Sequence, residues 1–577
     1  MERRFLLAAV LSALVLMVWQ VIMPPPPPPD PAAQTSAVTA GEGDKAVTSA
    51  PAGASASAPA GETTTASQPA VAASGAAPVP GAFVSPDASL EKQTKVVKSP
   101  LYEATFTSEG GGLKSFKLLE YKAYKPEVGF FDHFVGLFRG GETAPTPDQP
   151  ADLLNAPFEN NLFFAMEGLV DANGRYDLTE ATDTRVVFVR NQGNLKITRT
   201  FSLKPDDYMI QQEITLENLS SAPITATPVL GMNGHFLDPD KEGKSGYAPH
   251  INATYFVGTE HKLFPHGKLE APHKVSGPLG WAGVDDRYFL RAILPEQVNP
   301  GTVTITPLAT LDFRAELDHG PITLLPGQPR ALKSSVFLGP KRSEVLKAHE
   351  RDLIRSLDYG MLSLFAEPLL WLLKQLHSFI GSWGLAIMLL TLIVKTLLYP
   401  LFVKQIESGQ KMKEFQPQMK AIQEQFGDDK NRQNQEMMRF MQENKINPLG
   451  GCFPVLLQMP IWFAVYQVIQ NAIELYRESF LYLPDLSARD PYGISPLILG
   501  VLMFVQQKMT PMQPGMDPMQ VKMLQFMPII FAGMMFTLPS GLVVYILVNT
   551  LLGIAQQWYV TRRMERAAAA KKAAPAR

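Results

Sequence analysis

The apolar stretch at residues 379–403, FIGSWGLAIMLLTLIVKTLLYPLFV, decides the fold class of this chain. A helix that spans a bilayer takes about 20 apolar residues, so this stretch is long enough to cross one. It carries one charged residue, Lys395, which lies too far from the end of the stretch for its ammonium to reach the interface easily. A charge at that depth costs roughly 2.5 to 3.5 kcal/mol, so such residues usually mark a functional site. The stretch therefore predicts a membrane protein with a site at Lys395, and a buried structural partner for the lysine is the alternative.

Further apolar segments predict six spans in all. The first, residues 1–23, has Arg3 and Arg4 before its apolar run, and prolines rather than a small-residue cleavage site follow it, so we interpret it as an uncleaved anchor. The remaining four segments lie at residues 453–472, 494–509, 523–538 and 541–560. The basic tail at residues 561–577 and the acidic excess of residues 474–490 predict cytoplasmic N and C termini by the positive-inside rule.

Two regions of different composition follow the first span. Residues 24–97 are rich in Pro, Ala, Ser, Thr and Gly and predict a disordered tether. Residues 98–342 contain short alternating runs such as NLKITRTFSL between Gly and Pro turns, which predict one large all-β sandwich domain. Given the orientation of the spans, this domain is expected in the periplasm of a two-membrane bacterium. Its histidines follow no catalytic or metal-binding motif, so they are expected to be loop and surface residues.

Residues 343–378 predict two linking helices. The first, at residues 343–358, is charged, and the second, at residues 361–376, is apolar except for a polar face containing Ser363, Glu367 and Lys374. Because the second helix directly precedes a span, it is expected to lie along the membrane surface, and a short core helix is the alternative.

Polar residues recur along the predicted spans at helical spacing. Such groups are expensive in lipid unless they are paired or hydrated, so together they predict a hydrated cavity among the helices, although hydrogen bonding between helices is the alternative for any one of them. The candidate groove residues are Lys395, Thr391, Gln458, Tyr466, Tyr545 and Asn549.

The long charged connection at residues 404–447 predicts a cytoplasmic helical hairpin. Apolar residues three and four positions apart run along both of its arms. Methionine side chains adapt to varied apolar partners, so the stripe predicts a contact surface for such partners, with an ordinary hairpin core as the alternative. The candidate capture residues are Met412, Phe415, Met419, Met437 and Met441.

Composition excludes several other functions. A formal net charge of −2 argues against a general nucleic-acid binder. One cysteine, Cys452, excludes an intrachain disulfide and a cysteine-based zinc site. No nucleotide-binding loop, nucleophile elbow or metal-ligand cluster is present, so no enzyme, cofactor, metal or energy-consuming pump is predicted.

Five motifs in order make the chain resemble the YidC family of bacterial membrane protein insertases. They are NPLGGCFP at 447–454, QMPI at 458–461, DPMQ at 517–520, FMP at 526–528 and PSGLV at 539–543. The resemblance implies a five-span core at residues 379–560 that encloses a groove open to the cytoplasm and to lipid. It also implies a basic residue in that groove, usually arginine, which is Lys395 here.

The predicted function is that of an energy-independent insertase and chaperone of the bacterial inner membrane. The resemblance implies that it acts on nascent membrane proteins, alone or with the Sec translocon and its accessory subunits. The basic tail is expected to touch the ribosome, and the spans to contact membrane lipids. Two alternatives stay open, a secondary transporter that uses Lys395 as a substrate or proton site, and a sugar-binding or sugar-modifying β domain.

Overall fold

The structure is a computed structural model. It describes residues 91–123, 148–154, 157–238, 250–296, 300–349, 351–357, 359, 363–427, 429–444, 453–510 and 518–573. The predicted first span at residues 1–23 and the predicted tether up to residue 90 lie outside the described residues, as does the end of the predicted tail from residue 574.

An all-β domain occupies the first half of the described chain. Its strands within the described residues are β1 (Thr94–Lys98), β2 (Tyr102–Thr107), β3 (Gly112–Lys122), β4 (Pro150–Asp152), β5 (Leu162–Met166), β6 (Asp177–Ala181), β7 (Arg185–Gln192), β8 (Leu195–Ser202), β9 (Met209–Asn218), β10 (Ile224–Ala226), β11 (Pro228–His235), β12 (Asn252–Val257), β13 (Glu260–Pro265), β14 (His273–Asp285), β15 (Phe289–Pro295), β16 (Pro300–Pro307), β17 (Asp312–Asp318), β18 (Ile322–Leu324) and β19 (Arg330–Pro340). The strand β1 begins inside the segment predicted as a tether, because the alternating run TKVVK pairs with β2.

Two sheets of this domain share one hydrophobic core. Within the described residues, the larger sheet runs in the order β5-β11-β17-β16-β14-β15-β19-β9-β8-β7-β6, with β12 paired to β14 and β13 paired to β12, and the smaller runs β1-β2-β3-β4. Strands with one face on the core alternate buried and less buried residues, as in β8, where Ile197 and Phe201 are fully buried. The strand β15 is buried along its whole length. Phe106 of the smaller sheet lies 5.2 Å from Phe201, centroid to centroid. The predicted all-β domain is therefore confirmed.

Helices make up the second half of the described chain. Their bounds are α1 (Ser343–Ala348), α2 (Ser363–Ile380), α3 (Trp383–Leu397), α4 (Tyr399–Glu414), α5 (Gln416–Gln425), α6 (Lys430–Glu443), α7 (Phe453–Asn471), α8 (Ile494–Met509), α9 (Pro518–Met535) and α10 (Ser540–Ala573). The helix α10 packs against α3, α4, α7 and α8, so it lies at the centre of the helical bundle. It also continues into the predicted tail.

The prediction of one continuous helix over residues 379–403 is wrong. Gly381 has a φ of +75°, which ends α2, and α3 starts two residues later. A second break separates α3 from α4, and the two helix axes differ by 64°. Pro400 lies at the start of α4, where it lacks the amide hydrogen that a continuous helix would need. The apolar stretch therefore forms a bent pair of helices.

Two other helix predictions are also wrong in detail. The charged segment predicted as one helix over residues 343–358 divides into α1 and a short 3₁₀ helix at Leu353–Ser356, because Asp352 adopts a left-handed conformation with φ 54°. The first arm of the predicted hairpin divides between α4 and α5, where Pro417 lies at the start of α5. The second arm, α6, forms one unbroken helix.

The predicted count of six spans is not confirmed. Within the described residues, one helical segment, Ser540–Ala567, is long and apolar enough to cross a membrane by itself. The bent pair α3 and α4 passes the same test when the two helices are taken together, and α8 and Gln525–Met535 are shorter apolar helices. The six-span topology stays a prediction.

The loop between α7 and α8 joins the β domain to the helical bundle. It contains a 3₁₀ helix, Ile473–Leu475, which is followed by Tyr476. Side chains of these residues lie in the core of the β domain or in the core of the bundle. Ile473 and Tyr476 are buried in the core of the β domain, and Leu475 is buried in the core of the bundle. The Tyr476 hydroxyl donates a hydrogen bond of 3.0 Å to the carbonyl of Lys122. We name residues 472–493 the joint loop.

The joint loop also covers one end of the bundle. The Ser540 hydroxyl donates to the Asp485 carbonyl at 2.7 Å, which ties the loop to the start of α10. The Asp490 carboxylate accepts hydrogen bonds from the amide and the hydroxyl of Ser495, which ties it to the start of α8. Gly384 of α3 has no side chain, so the Phe480 ring of the loop lies directly against that helix. The loop is thus held by three helices and by the β domain.

Candidate functional site

Lys395 lies in the last turn of α3 and is buried. Its ammonium nitrogen lies 4.3 Å from the centroid of the Phe402 ring of α4. A methyl group built on Gly553 of α10 would lie 3.7 Å from the same nitrogen, so the lysine reaches the surface of that helix. Within the part of the chain that the structure describes, no carboxylate forms an ion pair with Lys395. Among the described residues, Lys395 is therefore a buried lysine without an acidic partner, at a point where three helices meet.

Thr391 lies one turn before Lys395 on α3 and is buried on the same face. Its hydroxyl donates a hydrogen bond of 2.7 Å to the Ile387 carbonyl of its own helix. The hydroxyl is therefore satisfied locally, which is how threonine is usually accommodated within a helix. The two residues share a face as the spacing of four predicts.

Gln458 and Tyr545 lie at a different level of the bundle from Lys395. The Gln458 amide of α7 and the Tyr545 hydroxyl of α10 are 3.5 Å apart, which is the upper limit for a hydrogen bond. Tyr545 and Gly553 are eight residues apart on α10, so this pair lies about 12 Å along the helix axis from the Lys395 level. The Gln458 carbonyl oxygen is buried without a hydrogen-bond partner among the described residues.

Tyr466 and Asn549 complete the predicted set. Tyr466 is partly buried on α7, and its ring stacks on Trp462 at 6.2 Å. Asn549 is partly exposed on α10, one turn from Tyr545. The structure brings Gln458 and Tyr545 together and places Thr391 beside Lys395 on one helix. Gln458 and Tyr466 are eight residues apart on α7, so the six candidates are spread along the helices and do not form one cluster.

Sequence reasoning missed three residues around Lys395. They are Phe402, whose ring lies over the ammonium, and Gln506 and Gly553, which meet beside it. A methyl group on Gly553 would lie 3.1 Å from the Gln506 amide nitrogen, so α8 and α10 approach closely there. The available signals were a glycine within an apolar helix and a glutamine near the end of one.

The five candidate capture residues meet in one cluster inside the hairpin. Met412 and Met419 are buried, and Phe415, Met437 and Met441 pack against them together with Phe440. The rings of Phe415 and Phe440 meet edge to face at 5.9 Å. The stripe therefore forms the core of the hairpin in this conformation, while Met438 on the other face of α6 is exposed.

Histidines of the β domain have structural partners. His235 lies 2.6 Å from the Asp312 carboxylate, and His273 lies 3.3 Å from the Tyr255 hydroxyl. Burial lowers the pKa of His273, which keeps it neutral at neutral pH. Among the described residues, no group of three or more His, Cys, Asp or Glu side chains could hold a metal ion.

Comparison with known proteins covers both halves of the chain. Residues 375–568 match the family described as 60Kd inner membrane protein, and residues 94–372 match the family described as YidC periplasmic domain. A membrane protein insertase YidC from Syntrophus aciditrophicus is 33% identical over 98% of this chain and 100% of its own length. The insertase YidC from Geobacter sulfurreducens is 34% identical over 82% of this chain and 86% of its own.

A solved structure shows a more distant similarity. The crystal structure of an active YidC insertase with the first transmembrane domain resolved is 20% identical, with a TM-score of 0.35 over 81% of this chain and 95% of that one. The relative from Syntrophus aligns with this chain along the whole of both proteins, through the β domain and the helical bundle alike. The chain therefore belongs to the YidC family of membrane protein insertases, which are inner membrane proteins with a periplasmic domain.

Proposed function

We propose that this protein inserts membrane proteins by offering the polar segment of a client a partly hydrated path past Lys395. The observation that carries the proposal is the buried ammonium without a carboxylate partner among the described residues. A buried cation that lacks an internal anion attracts an external one strongly, because little water screens the interaction. The ligand that fits is an Asp or Glu side chain in the translocated segment of a client.

The apolar segment of the client supplies the free energy that drives insertion. Carrying a short polar segment partway across a bilayer is expensive, and a polar groove lowers that barrier. Once the apolar segment of the client moves sideways into lipid, burial of its surface drives release from the groove. No covalent step is needed.

The remaining parts of the chain would bring clients to this site. The hairpin formed by the end of α4 together with α5 and α6 would receive the client. Its methionine cluster would have to open for Met412 and Met419 to touch one. Arg562, Arg563 and Arg566 are exposed or partly exposed at the end of α10, where they fit contact with ribosomal RNA. We place both termini in the cytoplasm and include the Sec translocon and membrane lipids among the partners.

The test compares two clients in vesicles that contain the full-length protein. The clients differ only in whether the translocated segment carries Asp or Asn at the same positions, and insertion is measured by protease protection. We expect Lys395→Ala to lower insertion of the acidic client about tenfold and to affect the neutral client much less. Lys395→Arg keeps the charge and should retain activity.

A matched control separates this effect from general loss of positive charge. Lys508 lies at the end of α8 beside the Phe504 ring, and Lys508→Ala should leave both clients unaffected. An equal loss of both clients in Lys395→Ala, at unchanged protein level, would contradict the attraction of client carboxylates.

A further inference from the structure

The bend between α3 and α4 brings a distant side chain onto Lys395. Phe402 follows Lys395 by seven residues, which in an unbroken helix would place it about 10 Å further along the axis. The two helix axes are inclined by 64°, and in this bent arrangement the centroid of the Phe402 ring lies 4.3 Å from the ammonium nitrogen. The face of an aromatic ring is electron-rich and attracts a cation at this distance.

The ring lies on one boundary of the space available to the ammonium. Gly553 of α10 also approaches the lysine, and the absence of a side chain there leaves room for it. The lysine stem has several rotatable bonds, so without such neighbours the ammonium would sample many positions. The contacts with α4 and α10 therefore restrict where the charge lies.

We propose that Phe402 is a positioning residue for Lys395, which holds the ammonium in place for the carboxylate of a client. This inference rests on the proposed function, and it adds the residue that orients the charge. A ring suits the task better than an acidic partner, since a carboxylate within the protein would form a permanent ion pair and compete with the client. The ring accepts no conventional hydrogen bond, so the ammonium keeps its donors for an incoming carboxylate.

The experiment measures insertion of the matched Asp and Asn clients by vesicles carrying Phe402 variants of the full-length protein. Phe402→Leu keeps an apolar side chain but removes the ring, and we expect a roughly threefold to tenfold drop for the acidic client. The neutral client should change little. Phe402→Tyr and Phe402→Trp keep an aromatic face and should restore insertion of the acidic client.

A control and a double variant make the result specific. Phe504→Leu removes a ring that lies 5.2 Å from the Lys508 ammonium elsewhere in the bundle, and it should leave both clients unaffected. In a Lys395→Met background, adding Phe402→Leu should cause no further loss, because the charge that the ring positions is gone. A structural role for Phe402 would instead lower insertion in both backgrounds and for both clients.

The outcomes distinguish this inference from the proposed function. If Lys395→Met impairs the acidic client and Phe402→Leu does not, the positioning role is wrong and the charge mechanism stands. If neither variant discriminates between the clients, the proposed function itself fails.

Discussion

Two lysines of this chain are equally buried, each with 7% of its surface exposed, and their surroundings differ. Lys341, at the end of β19 in the β domain, lies 2.9 Å from the Asp285 carboxylate and donates to the Asp286 carbonyl. Lys395, in the helical bundle, contacts the Phe402 ring and has no ion-pair partner among the described residues. The β domain neutralises its buried charge internally, whereas the bundle leaves Lys395 without an acidic partner among the described residues.

The same contrast extends to apolar residues. Large side chains of the β domain, such as Trp281 and Phe313, are fully buried. In the bundle, Val501 of α8 and Ile530 of α9 are 64% and 68% exposed. Such exposure suits helices whose outer faces contact lipid, where apolar side chains need no burial inside protein. Burial alone therefore does not tell whether a polar residue is structural; its partners do.

Breaking the ion pair between Lys341 and Asp285 in the β domain should cause the largest loss of stability. Lys341→Met leaves the Asp285 carboxylate buried without its partner, and we expect the β domain to lose about 3 to 5 kcal/mol of stability. Hydrogen exchange of β15 and β19 in the full-length protein measures this loss. The control is Lys333→Met, which removes an exposed lysine 3.9 Å from Glu296 and should change stability by less than about 0.5 kcal/mol. Equal exchange in the two variants would show that the buried pair adds no net stability.

The effect of Lys341→Met should depend on pH. Burial raises the pKa of Asp285 to about 6, and the neighbouring Lys341 acts in the opposite direction. A carboxyl group with a raised pKa stabilises the fold fully below its unfolded pKa of about 4, and that contribution is lost as pH rises through the folded value. Acidification protonates Asp285 and removes the unpaired charge. The difference between the variant and the natural protein should therefore shrink as pH falls from 7 toward 5.

Removing the Tyr476 ring, which lies between the β domain and the helical bundle, should have a smaller effect on stability. The Tyr476 ring contacts Tyr288 at 4.6 Å and Phe289 at 5.8 Å within the β domain. Tyr476→Ala should weaken attachment of the β domain to the joint loop by about 2 to 3 kcal/mol. Spin labels on β19 and α2 should then show a broader distribution of distances. The control, Tyr476→Phe, removes only the hydrogen bond to the Lys122 carbonyl and should weaken the attachment by about 1 kcal/mol. If the distance distribution in Tyr476→Ala stayed unchanged, other residues would attach the β domain to the joint loop.

Removing the unpaired lysine should give the smallest change in stability, with the opposite sign. Lys395→Met replaces a buried charge by an apolar side chain of similar length, so we expect the bundle to gain about 1 to 2 kcal/mol while it loses acidic clients. Thermal unfolding in detergent, followed through the helical circular dichroism signal, measures the gain. Destabilisation by Lys395→Met would mean that the lysine has a structural partner, and the contrast with Lys341 would disappear.

Local patterns predict much of the fold. Alternation along residues 98–342 predicts the β domain, and the apolar run at residues 494–509 coincides with α8, Ile494–Met509. The spacing of Thr391 and Lys395 predicts that both lie on one face. Proline explains two of the four helix breaks, because Pro400 and Pro417 divide helices that apolar periodicity alone predicts as continuous. The other two breaks lie at Gly381 and Asp352, which have positive φ angles.

Local sequence patterns do not predict which residues surround Lys395. The position of the Phe402 ring depends on the angle of a bend, which spacing along the chain does not determine. Gln506 and Gly553 reach Lys395 from helices more than a hundred residues away in sequence, so only tertiary packing brings them together. The methionine stripe of the hairpin illustrates the same limit, since periodicity identifies an apolar face but not what covers it.

The contact between Tyr476 and Lys122 joins residues that are 354 positions apart, and this separation sets an order of assembly. At about 5 to 20 residues per second, roughly 20 to 70 s pass between synthesis of the two. The strands of the β domain are complete before the joint loop leaves the ribosome. We therefore expect the β domain to fold first on the periplasmic side, with its binding surface for Tyr476 exposed. The joint loop should then bind to this surface while α8 to α10 are still being synthesised.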